Sequence, residues 1–88
     1  TDVLDRAMID LLSFYRDVLT TQMGSDVERV NLDLSDAVDQ AARTTSPEQS
    51  LARIAAIEEC RSRLRSNAAP LLAVEALMVQ LRPQAEGR

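Results

Sequence analysis

Asn67-Ala-Ala-Pro-Leu-Leu-Ala-Val-Glu-Ala-Leu-Met-Val-Gln-Leu-Arg82 is the stretch whose reading decides the fold. A helix starting near Pro70 and turning about 100° per residue sorts these side chains into two apolar faces. Val74, Leu77 and Leu81 fall at i, i+3 and i+7 on one side. Leu71, Leu72, Met78 and Val79 fall on the other, flanking Glu75 and Arg82. A helix that is apolar on two sides is buried on two sides. In a chain this short the second side is expected to meet another protein. Leu71, Leu72, Glu75, Met78, Val79 and Arg82 are therefore the expected protein interface. The expected core is Leu4, Met8, Leu11, Tyr15, Leu51, Ile54, Leu64, Val74, Leu77 and Leu81.

Working outward, 88 residues make one small domain, which buries only roughly 60–65% of its unfolded surface. Two aromatic residues, two glycines and three prolines argue against a sheet-rich fold. Ala, Leu, Arg and Glu dominate and are good helix formers. The expected fold is all-α, a small four-helix, bundle-like domain whose last two helices form an antiparallel hairpin. Ten arginines stand against 14 acidic residues, for a net charge of −4 and no histidine. With the arginines scattered among carboxylates there is no phosphate-binding stripe, so no direct nucleic-acid contact is expected. No apolar run approaches the ~20 residues a membrane span needs. The single Cys60 excludes an internal disulfide and permits a cytosolic home. The start at Thr1 rather than Met leads to the expectation of a fragment of a longer chain, or of a processed terminus.

The first helix is expected over Asp2–Met23, with Leu4, Ala7, Met8, Leu11, Leu12, Tyr15, Val18 and Leu19 on one face. Arg6, Asp10, Ser13, Asp17 and Thr20 take the other, and Gly24-Ser25 ends the helix. Val27, Val30 and Leu32 are expected to tuck under the bundle as a short turn. A second helix follows over Leu34–Thr44, capped by Asp33, with Leu34, Val38 and Ala41 or Ala42 inward. Ser46 caps a third helix with Pro47 at its first position and Gln49 completing a capping box. Leu51, Ile54, Ile57 and Leu64 make its stripe to about Ser66, with Arg61 inside the stripe, and Asn67 is a natural stop. If the last two helices form a tight hairpin about residues 67–68, Arg61 faces Glu75. It then either pairs with that carboxylate or runs to solvent along its own stem. Residues 83–88 are expected to fray.

Few residues here can carry chemistry. Without His, and with one Cys, zinc has no plausible site, and the usual general base near neutral pH is missing. Lysine is absent too, which removes Schiff-base chemistry. Gly24 and Gly87 stand alone, so no glycine loop cradles a phosphate. Cys60, Glu58 and Glu59 read as packing or solvated helix surface, and Tyr15 as core. No enzymatic activity, cofactor, metal or small-molecule substrate is expected. Arg6, Ile9, Asp10 and Arg16 loosely resemble the opening helix of the small helical chorismate mutases. That resemblance fails at the break after Gly24 and for want of an active-site lysine.

A broader likeness starts from the opening stretch and extends backwards. Ser46-Pro47-Glu48, then Ile54, Ile57-Glu58, Cys60-Arg61, Leu64 and Asn67, then Ala69 to Leu77, resemble the C-terminal domain of bacterial clamp-loader subunits. They look most like the delta-prime subunit of DNA polymerase III of the actinobacterial type. Asp5-Arg6-Ala7, Ile9 to Leu12 and Phe14 to Leu19 are similar to the segment following that family's ATPase-like modules. The resemblance covers nearly the whole chain and weakens between Gly24 and Thr45. It implies a cytoplasmic, non-catalytic collar domain. Five such domains would close a ring in the loader for sliding-clamp loading during DNA replication, with the collar domains of the other subunits as partners. The residue reading leaves a second possibility, a regulatory or adaptor bundle that binds one partner protein.

Overall fold

Gly24 ends the first helix by adopting φ +70°, a left-handed conformation that costs glycine little. The Ser25 amide then donates to the Thr20 carbonyl at 3.0 Å and the Gly24 amide to Thr21 at 3.1 Å, the paired bonds of a Schellman cap. The computed structural model describes residues 2–25, 32–66 and 69–82. Within them the regular elements are helical: α1 (Asp2–Gln22), a 3₁₀ turn (Leu32–Leu34), α2 (Ser35–Thr44), α3 (Pro47–Arg65) and α4 (Pro70–Leu81). At the start of α3 the Ser46 hydroxyl accepts from the Gln49 amide at 3.1 Å, and the Gln49 side chain accepts from the Ser46 amide at 2.8 Å. That is the expected capping box, with Pro47 in the first turn. Proline also opens α4, where its missing amide hydrogen is no loss.

Three cross-links show α1 and α3 lying antiparallel. Asp5 pairs with Arg61 at 3.0 Å, the Arg53 guanidinium lies 5.7 Å from the Tyr15 ring centroid, and Ser50 Oγ donates to Gln22 Oε1 at 2.8 Å. As the α1 numbers rise, the α3 numbers fall. Gln22 Nε2 also donates to the Thr45 carbonyl at 2.8 Å, to Thr45 Oγ1 at 3.1 Å and to the Ala42 carbonyl at 3.3 Å. One amide therefore ties the end of α1 to the end of α2 and the start of α3. Ser50 is wholly buried, and its hydroxyl is satisfied there.

α2 packs on α1, and α4 on α3. The chain measures 38 × 33 × 17 Å, so its thinnest direction is little more than one helix with its side chains, about 10–12 Å. Met8, Leu12, Ile57, Cys60, Ala73 and Leu77 form the buried centre, with Leu11, Tyr15, Ile54, Leu64, Val74 and Leu81 packed around it. Leu4 is half-buried, and Val18 and Val38 are wholly buried.

Several expectations are corrected. Leu51 is 55% exposed rather than in the core. At about 100° per residue it lies some 60° beyond Ile54 and 120° from Ile57, outside the strip that α1 covers. Arg61 pairs with Asp5 and not with Glu75, because it lies on the side of α3 that faces α1. Ala7 is exposed, whereas Asp17, assigned to the polar face, is buried; α1 carries both α2 and α3, which narrows its solvent face. Leu34 and Leu32 are exposed, and no side-chain cap from Asp33 opens α2, since the 3₁₀ turn makes Leu34 its N-cap residue. Val27, Val30, the stop at Asn67, the turn at 67–68 and the tail at 83–88 lie outside the described residues.

This packing sets the expected stability of single variants. Leu77→Ala should cost roughly 2–5 kcal/mol in urea unfolding, while Leu51→Ala should stay within about 0.5 kcal/mol. Gln22→Ala strands the buried Ser50 hydroxyl and should cost about 1–3 kcal/mol. Ser50→Ala in that background should recover part of the loss, which a double-mutant cycle would detect. Asp5 is held below its ordinary pKa of 3.8, chiefly by the hydrogen bond from Arg61 and against some desolvation. A lowered folded-state pKa gives stability that is present above the unfolded value and lost as pH falls through the folded one. Asp5→Asn should therefore be less stable than the native chain at neutral pH, and the gap should close as melting is followed below pH 3.8.

Candidate interaction surface

α4 places its residues by helical arithmetic around the support it has, which is α3. Ala73 and Leu77 are buried against the core, and Val74 and Leu81 lie beside them, half-buried. About half a turn away, Leu71, Leu72, Glu75, Met78, Val79 and Arg82 are all exposed. The four apolar members are 70%, 66%, 57% and 56% accessible. Four large apolar side chains on three turns of one helix form a grouped patch, and such patches mark interaction sites on soluble domains. Glu75 and Arg82 stand in the middle of this face, one at each end of it.

Beside the patch, between α3 and α4, runs a groove of about 400 Å³. Ala52, Ala55, Ala56, Ala73 and Ala76 supply the small side chains of its lining, with Cys60 and Leu77 at its buried edge. Glu59, Arg63 and Gln80 also line it. The Arg63 Nε donates to Glu59 Oε2 at 3.0 Å, four residues away along α3. Burial pushes the Cys60 thiol up from its ordinary pKa, with nearby Arg63 opposing, so the thiolate a nucleophile needs is disfavoured. Among the described residues no group of three His, Cys, Asp or Glu could hold a metal, and no helix is long and apolar enough to cross a membrane.

The groove alanines do not stand out in the sequence. α3 offers its larger residues, Ile54, Ile57 and Leu64, toward α1, and its small ones toward α4. Ala52, Ala55, Ala56 and Glu59 recur at three- and four-residue steps, the helical spacing that marks a shared face. That spacing is a usable signal. Alanine is as common on exposed helix surface as at a close helix contact, so pattern alone does not distinguish the two.

A family model described as DNA polymerase III, delta subunit, C terminal, matches residues 4–82, from the first turn of α1 to the residue after α4. No curated protein and no solved structure matches the chain. A match that spans all four helices, the packed core and the exposed outer face of α4 covers the domain as a whole: the chain belongs to the family of C-terminal domains of the DNA polymerase III delta subunit, and so to the clamp-loader proteins.

Proposed function

We propose that this domain is the collar of a clamp-loader subunit of the delta-prime type, holding the loader together through the outer face of α4. The observation that carries the reading is the exposed row Leu71, Leu72, Met78 and Val79, on a helix whose other side is already packed on α3. Apolar area left in water on a structured helix is a standing cost that a partner removes, at about 25 cal/mol per Å². The family supports the assignment to a clamp loader. The likeness of Ser46–Glu48, Ile54–Asn67 and Ala69–Leu77 to delta-prime collars supports the finer one. In this reading α3 and α4 run antiparallel. The residues between Arg65 and Pro70 reach at most ~18 Å when extended, short of the ~28 Å length of α3. The partners are other loader subunits in the cytoplasm. This domain itself binds no nucleic acid, membrane, cofactor or small-molecule substrate.

Replacing Leu72 by Ser together with Met78 by Gln tests the proposal. Both side chains are mostly in solvent, so the variant should keep its melting temperature. Added to the remaining loader subunits, it should elute apart from them on a sizing column while the native chain co-elutes. A variant that melts early would place the face in the fold. One that still co-elutes would move the interface elsewhere, with the α3–α4 groove and a single bound peptide as the next candidate.

A further inference from the structure

Glu75 and Arg82 are the charged members of an otherwise apolar exposed face. The ion pairs among the described residues join Asp5 to Arg61 and Glu59 to Arg63; Glu75 and Arg82 have none. Seven residues apart, they share one side of α4 but stand about 10 Å apart along it, too far to pair with each other. A carboxylate and a guanidinium set into one apolar face at that spacing define an orientation for whatever covers it. An occupant must bring a cation to Glu75 and an anion to Arg82, with apolar contact between them.

We propose that the outer face of α4 pairs antiparallel with α4 of a second copy of this chain, about a twofold axis between Met78 and Val79. Glu75 and Arg82 are equally far from that axis, so twofold symmetry sets Glu75 of each copy level with Arg82 of the other. Two ion pairs then flank a centre made of Met78 and Val79 from both copies. Competing registers are penalised by the same charges. An axis at Glu75 would bring Leu71 to Val79 and Leu72 to Met78, but it would set one Glu75 against the other. A parallel, in-register pairing would oppose like charges at both positions. Such like-charge juxtaposition is how helix pairs select register and orientation. A single three-turn helix buries less than the ~1,200 Å² of a stable dimer, so the pairing is weak. It fits a face that releases its own copy when a larger partner takes its place. This inference rests on Glu75 and Arg82, and it stands or falls separately from the collar reading.

Sedimentation equilibrium of the 88-residue chain up to about 1 mM, a range suited to weak association, is the test. The native chain should self-associate. Glu75→Arg and Arg82→Glu should each weaken association at least tenfold, with unchanged helical circular dichroism because both positions are exposed. The Glu75→Arg chain offers two cations and the Arg82→Glu chain two carboxylates, so an equimolar mixture should associate like the native protein. The chain carrying both reversals should do so as well. A native chain that stays monomeric at the top of the range would overturn the pairing, and would leave the collar proposal standing if the Leu72/Met78 variant still fails to assemble. Association unaffected by either reversal would overturn it too, as would two single variants that do not restore one another when mixed.

Discussion

The antiparallel seam between α1 and α3 carries the rest of this structure. α2 is attached through α1 and α4 through α3, so neither outer helix has a place unless the seam forms first. Its centre is Met8 and Leu12 against Ile57 and Cys60, which supplies burial without direction. Direction and register come from polar contacts at its ends, Asp5 with Arg61 and Gln22 with Ser50. The two ends differ in kind. The Asp5–Arg61 pair is about one-third exposed on each side, where such contacts are worth little in stability. Ser50 is fully buried, where a polar group without a partner is costly. The Gln22 amide is thus the more demanding constraint, and it also holds the end of α2.

α3 lies between two neighbours of different character, and this explains its composition. Toward α1 it presents Ile54, Ile57 and Leu64, which interlock with large side chains. Toward α4 it presents Ala52, Ala55 and Ala56, which lets a helix approach closely while leaving little to grip. α4 compensates with its own bulk, Leu77 buried and Val74 and Leu81 beside it. The large side chains of α3 are thus committed to one partner, and those of α4 fill the other contact. The arrangement also leaves the chain nearly one layer thick, with no further described helix to close over the outside of α4.

That open side is the link from fold to function. In a thicker bundle Leu71, Leu72, Met78 and Val79 would be ordinary core. Here they are surface, on a helix started by Pro70 and seated against α3. A rigid, apolar, two-sided helix at the edge of a thin domain is suited to joining domains side by side, and the membership in a clamp-loader family is consistent with that use. The catalytic vocabulary is correspondingly poor, with a buried thiol disfavoured as thiolate and no histidine in the chain.

Local chemistry was legible from the sequence alone. The capping box at Ser46 and Gln49, the stop at Gly24, the proline starts of α3 and α4 and the two faces of α4 depend on neighbours within about one helical turn, and residue types record those directly. Helix content and the all-α class follow from the same information. Partner choice did not. Arg61 joins Asp5 across 56 positions because α3 turns that side to α1, and no spacing within α3 reveals it. Leu51 reads like Ile54 in the pattern, yet it lies in solvent, since burial depends on where the second helix runs rather than on apolarity. Ser50 and Asp17 are the converse, polar residues enclosed because two helices converge on them. Sequence by itself determined which segments are helices and which sides of them avoid water. The tertiary structure decided which of those sides meet each other and which one is left over, because helix packing joins residues far apart in the chain and a 3.6-residue period says nothing about what lies across the gap.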